Sequence, residues 1–125
     1  MNWLLIAIGG AVGSMSRFAM AQFVQKVSQV NYFPLGTFCV NMLGCFLIGI
    51  IFALADLKQV LSPELRMLLM VGFLGGFTTF STYGLESFTL LREGQFLFVA
   101  LNLLGQSILG IILVYLGYIT VRILP

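Results

Sequence analysis

Four apolar runs, each long enough to cross a bilayer, fill almost all of this 125-residue chain. A helix needs about 20 consecutive, mostly apolar residues to span the hydrocarbon. The first run extends from Trp3 to Val24, and a polar break follows over Lys26 to Tyr32. The second starts near Pro34, a good first-turn residue, and ends near Ala55. Asp56 to Pro63 separates it from the third, with Ser62-Pro63-Glu64 as a helix-start signal. The third runs from Glu64 to Leu91, Arg92-Glu93-Gly94 forms a tight turn, and the fourth runs from Gln95 to Ile123. In lipid only helices and closed barrels satisfy the backbone, and these runs are too long and too uniformly apolar for barrel strands. The pattern predicts an all-α membrane protein, a single domain of four transmembrane helices over residues 1–125. The first run is longer than a signal-peptide core and has no basic segment before it, so it is expected to stay in the protein.

Composition narrows the function classes. Charged residues make up 8% of the chain and hydrophobic ones 60%, against about 25% and 45–50% in soluble domains. A net charge of +2 is too small to imply a nucleic-acid partner, and there is no histidine, the commonest general base and metal ligand. Cys39 and Cys45 lie six apart in one apolar run, on different faces of a helix, which predicts small packing residues rather than a disulfide.

Orientation in the membrane depends on the Lys/Arg imbalance between the two sides. The N-terminus, second turn and C-terminus share one side and carry Lys58, Arg66 and Arg122, whereas the other side carries Arg17, Lys26 and Arg92, three against three. Either another factor orients the chain, or copies insert both ways and pair about a two-fold axis in the membrane plane, one surface patch meeting itself. Four helices are too few to wall a wide aqueous pore, so a conduit needs a partner subunit or must be narrow.

The polar residues inside the spans carry the functional information. In the first span Gly9 and Gly13 share a face on which small residues let helices approach closely. Arg17 lies four further along that stripe, and either snorkels to the headgroups or places positive charge at the mouth of an anion path. In the second span Thr37, Asn41 and Gly44 fall on one face. The Asn41 amide either glues helices together or donates its N–H groups to an anion. In the fourth span Asn102 and Gln106, four apart and followed by Ser107, form a polar track or a polar interface.

The third span contains GFLGGFTTFSTYGLE, from Gly72 to Glu86. Glycine costs about 1 kcal/mol relative to alanine in a helix interior, and Thr78, Thr79, Ser81 and Thr82 can bond the backbone and bend it. Together they predict a break near mid-membrane. Lipid tolerates broken helices only where protein or water covers them. Freed carbonyls suit a hard cation, and freed amides and hydroxyls suit an anion. Beyond the break Phe80 and Tyr83 share a face; aromatic ring edges are electropositive, so the pair either packs or touches an anion weakly. Glu86 is a snorkelling end residue or a titratable gate.

These residues resemble those of the Fluc-type fluoride channels, also called the CrcB family. The resemblance covers nearly the whole chain. It rests on Gly9-Gly10-x-x-Gly13-x-x-x-Arg17, Gly36-Thr37, Val40-Asn41-x-x-Gly44 and Gly75-Gly76-Phe77-Thr78-Thr79-Phe80-Ser81-Thr82, the last being the specific one. It implies a passive fluoride channel of the bacterial inner membrane, built as an antiparallel dual-topology homodimer with two narrow pores at the subunit interface. It also implies a structural sodium ion on the two-fold axis, held by the Gly75 and Thr78 carbonyls of both copies. The fluoride path would involve Thr37, Asn41, Ser81 and Thr82 and the ring edges of Phe80 and Tyr83, where family members commonly carry Phe at the second ring. Arg17, Glu86, Asn102 and Gln106 would belong to a vestibule or gate. Fluoride is strongly hydrated, and spaced donors would replace its water stepwise, with binding weak enough to permit conduction. Physiologically, a passive leak of fluoride down the membrane potential would confer fluoride resistance.

No residue is a nucleophile or base poised for chemistry, so no enzyme is expected. Two rival readings belong to other classes. A small proton-coupled multidrug exporter would need a carboxylate deep in the first span, which holds no Asp or Glu. A structural membrane assembly subunit would not need the polar stretch in the third.

Overall fold

The computed structural model describes residues 1–125 and is all helical. Four helices are long and apolar enough to cross a membrane: Asn2–Ser28, Leu35–Asp56, Pro63–Arg92 and Phe96–Ile123. The first runs past the expected end at Val24 because its polar residues build the exit from the helix. Gln25 donates through Nε2 to the carbonyls of Val30 and Phe33, and its Oε1 accepts the Gly36 N–H at 3.0 Å. Gln29 closes the helix in the left-handed region at φ 55°. Polar composition there does not end the helix, which continues to Ser28.

The third span is not uniform. Ser62 caps its start, its hydroxyl accepting the Leu65 N–H at 3.2 Å. The first α-turn, Pro63–Arg66, opens into a wider π-helical stretch over Met67–Leu74. A short α-helical segment, Gly75–Phe77, comes next. Thr78 (φ −83°, ψ 156°) and Thr79 (φ −147°, ψ 124°) are extended, and helix resumes over Phe80–Arg92. The fourth span widens in the same π-helical way over Gly105–Leu109. Gly94 makes the turn between the third and fourth spans at φ 71°, with the Gln95 N–H reaching back to the Leu90 carbonyl at 2.9 Å.

Close backbone contact holds the spans together. A Cβ at Gly9 would sit 2.5 Å from the Leu68 carbonyl oxygen and 2.8 Å from the Phe73 nitrogen, and one at Gly76 would sit 2.5 Å from the Gly10 carbonyl oxygen. First and third spans therefore meet along a glycine seam. A second seam joins the second and fourth spans, where Gly49 faces the Val114 backbone and Gly117 faces that of Phe46. Val40, Leu74 and Phe77 form a small core between spans two and three. Outward faces are as apolar as the core, with Trp3, Phe18, Leu97 and Ile111 exposed. Lipid is no poorer a solvent for these side chains than the protein interior, so packing and polar contacts set the arrangement. Arg66 closes the second helix by donating to the Ala55 carbonyl at 2.9 Å, and Lys58 reaches the Leu124 carbonyl at 2.9 Å. Cys39 and Cys45 are both free thiols.

Candidate functional site

Asn41 and the Thr79 peptide clasp each other. The Asn41 Oδ1 accepts the Thr79 N–H at 2.9 Å, and its Nδ2 donates to the Thr79 carbonyl at 3.1 Å. In an unbroken helix the Thr79 N–H would bond the Gly75 carbonyl four residues back. A second diversion accompanies it: the Thr82 N–H bonds the Thr79 hydroxyl at 3.3 Å, where a continuous helix would send it to the Thr78 carbonyl. Two side chains, Asn41 and Thr79, thus release the carbonyls of Gly75 and Thr78 from their helical partners. Neutral carbonyl oxygens of this kind are hard donors, and both residues line one cavity of about 410 Å³.

From Asn41 a directed chain of hydrogen bonds crosses to the fourth span and returns to the third. The other Nδ2 proton of Asn41 goes to Gln106 Oε1 at 2.7 Å. Gln106 Nε2 donates to Asn102 Oδ1 at 2.9 Å, Asn102 Nδ2 donates to Ser87 Oγ at 2.9 Å, and Ser87 donates to the Tyr83 carbonyl at 2.8 Å. Asn102 is fully buried, and a half-satisfied amide there would be costly. The backbone groups at both ends fix the direction: a peptide N–H must donate, and the Tyr83 carbonyl must accept. The chain ties the first turn of Phe80–Arg92 to the second and fourth spans. It therefore sets where that turn carries the Phe80 and Tyr83 rings, whose centroids are 5.4 Å apart at 46°.

The candidate residues divide between two recesses. Asn41, Gly75, Thr78, Phe80, Tyr83 and Gln106 line the first, with Phe80 83% exposed at its rim. Thr37, Thr82 and Glu86 line the second, of about 520 Å³, together with Gln22 and Lys26. Thr37 donates to Glu86 Oε1 at 2.8 Å, whereas Glu86 Oε2 is buried without a hydrogen-bond partner. Thr79 joins the two recesses, its hydroxyl lying 3.2 Å from Thr82 Oγ1 and 3.4 Å from Ser81 Oγ. Ser81 itself is exposed and lines neither recess. Arg17 is half-buried on the first span and lines neither.

Three participants escape a reading of the sequence by residue type. Ser87 looks like an ordinary helical serine, although bonding back to the carbonyl four residues earlier is a known habit of the residue. Thr79 is one hydroxyl among several, and its role as the cap of Phe80–Arg92 follows only once the break is placed. Gln25 reads as loop polarity but organises the first turn.

The chain matches the family described as CrcB-like protein, Camphor Resistance (CrcB), over residues 4–118. Among similar curated proteins, the "Fluoride-specific ion channel FluC" of Aquifex aeolicus is 48% identical over 114 residues, 91% of each chain. That of Maridesulfovibrio salexigens is 47% identical over 109 residues, 87% of this chain and 86% of the relative. That of Methylobacillus flagellatus is 43% identical over 119 residues, 95% and 93% of the two.

Proposed function

The chain belongs to the CrcB family, and on that premise we propose that it is a passive, fluoride-selective channel, a multi-pass protein of the bacterial inner membrane and not an enzyme. What carries this reading is the similarity, 48% and 47% over most of the chain, to proteins named fluoride-specific ion channels. The first recess supports the reading: an amide, Asn41, and the rings of Phe80 and Tyr83 line it beside the interrupted third span. Rings offer positive edges without a formal charge, and the Phe80–Arg92 helix turns its positive end toward the break. An anion held by several weak contacts can also leave, as conduction demands.

The functional unit in this reading is an antiparallel homodimer. The open side of the first recess and the exposed Phe80 ring support it, because one copy alone leaves that cavity, lined in part by Gly75 and Thr78, open on one side. The balanced Lys/Arg count supports opposed insertion. Where two copies meet, the released Gly75 and Thr78 carbonyls would hold a sodium ion, which when bound supplies positive potential beside the anion paths. No carboxylate lines that recess, and neutral carbonyls alone repay the dehydration of Mg²⁺ or Ca²⁺ poorly. The second recess, with Lys26, Thr37, Thr82 and Glu86, then reads as a vestibule.

The test is anion efflux from proteoliposomes. Fluoride should leave quickly when a potential shunt is added, and chloride should not. Retention of both ions by correctly inserted protein would overturn the channel reading, and drug-dependent proton flux would favour an exporter instead.

A further inference from the structure

We propose that Gln106 is a displaceable acceptor, occupying in the resting chain the place that fluoride takes on Asn41. The inference rests on the fluoride-channel reading above and goes beyond it by assigning a resident competitor to the binding amide. Both Nδ2 protons of Asn41 are engaged, one by the Thr79 carbonyl and one by Gln106 Oε1 at 2.7 Å. An amide offers two donor hydrogens, so Asn41 has no N–H left for an anion until one of those bonds opens. The two are unequal. Thr79 is held on both sides of its peptide, with Asn41 donating and accepting, and opening the Nδ2 bond would leave the Thr79 carbonyl unpartnered at the break and loosen the clasp on its N–H. Gln106 is held to Asn41 by a single bond. Both residues line the recess with Phe80 and Tyr83, but Asn41 is only 9% exposed whereas Gln106 is half-buried.

Gln106 can let go without losing its anchorage. Its Nε2 stays bonded to Asn102 Oδ1 at 2.9 Å, and Asn102 is locked by Ser87. Its carbonyl end can therefore rotate away into the recess, where water or the partner surface receives it. An arriving fluoride ion is a much stronger hydrogen-bond acceptor than an amide oxygen, because its charge is concentrated on one small atom. It takes over the Asn41 proton and finds the ring edges on the same wall. The apparent affinity is then lowered by the fraction of time Gln106 holds the proton. Such a device keeps Asn41 satisfied when no ion is present and keeps binding shallow when one is.

Half-saturating fluoride and maximal flux should be measured separately for the parent, Gln106→Leu and Gln106→Glu in liposomes, with the parent as the control for the channel itself. Leucine cannot accept, so half-saturating fluoride should fall by up to about tenfold, the scale of one net hydrogen bond. Glutamate is a stronger, charge-assisted acceptor and should raise it. A residue that only glued helices would lower flux or stability in both variants without moving half-saturation in opposite directions. A conducting parent whose Gln106→Leu variant shows unchanged or weaker fluoride affinity overturns this inference and leaves the channel reading intact. A parent that conducts no fluoride overturns both. Should the leucine variant fail to assemble, side-chain amide NMR of the parent decides: fluoride, but not chloride, should shift both the Asn41 and Gln106 NH₂ resonances. Unmoved resonances at saturating fluoride would overturn the proposal.

Discussion

Asn41 is the structural centre of the recess, and the proposed anion path puts a second demand on it. It accepts from the Thr79 N–H and donates to the Thr79 carbonyl and to Gln106. Replacing it by leucine leaves a backbone N–H and two oxygens without partners, at a cost of about 1–3 kcal/mol for each group left buried. Asn41→Leu should therefore abolish fluoride efflux and lower thermal stability. Normal flux in that variant would remove Asn41 from the anion path and leave it as helix glue. The two rings should behave differently from each other. The Tyr83 side chain enters the structure through its ring, 5.4 Å from that of Phe80, and the Ser87 hydroxyl bonds its carbonyl and not its side chain. Tyr83→Phe keeps that ring edge and should keep flux and stability near those of the parent, within about 0.5 kcal/mol. Phe80→Ile removes a quadrupole and should cut flux strongly, whereas parent-like conduction would reduce the rings to packing. At this scale residue chemistry was legible in the sequence, because an amide at mid-span has few uses. The identity of its partners was not legible. That Asn41 meets Thr79 and Gln106, 38 and 65 residues away along the chain, depends on how three helices pack.

At the level of elements, the number, order and helical nature of the spans follow from hydropathy alone, since lipid leaves a backbone few alternatives. The Ser62 start and the Gly94 turn were equally legible, because a cap and a positive φ each demand particular residues. The wide turns at Met67–Leu74 and Gly105–Leu109 were not. Nothing in Met-Leu-Leu-Met or Gly-Gln-Ser marks a change of hydrogen-bond register, which neighbouring helices impose. The first glycine seam could be read from Gly9 and Gly13, but the second, from Gly49 to Gly117, joins distant segments whose pairing only the fold reveals. That second seam gives a prediction for the element. A Cβ at Gly49 meets the Val114 carbonyl and lies 3.0 Å from the Tyr118 nitrogen, both rigid backbone. Gly49→Leu must push the second and fourth spans apart, and overpacking of this kind costs about 1–3 kcal/mol. It also moves Gln106 relative to Asn41, since one rides on each span. Thermal melting in detergent should fall, with flux falling alongside. Unchanged stability would show that the seam is slack.

For the whole molecule, charge bears directly on how a chain with an open, mostly apolar recess sits in a bilayer. Lys58 bonds the Leu124 carbonyl, so the second turn and the C-terminus lie together at one end of the bundle. This agrees with grouping Lys58, Arg66 and Arg122 against Arg17, Lys26 and Arg92. Orientation responds to Lys and Arg near the membrane and hardly to acidic residues, so Glu64 and Glu93 do not tip a three-to-three balance. A chain with no preference would insert both ways, and in the proposed antiparallel dimer each copy would pair with an inverted one, recess to recess. A reporter fused to the C-terminus should be found on both sides of the membrane in comparable amounts. Adding three lysines after Arg122 makes the count six against three and should drive that end into the cytoplasm. Opposed partners become scarce, so fluoride efflux per molecule should fall steeply even though each chain remains folded. Co-expressing a copy with three lysines added beside Lys26 supplies the missing orientation, and flux should return. If the unmodified protein has one fixed orientation and full activity, or if the lysine variant alone conducts like the parent, the two copies are not antiparallel.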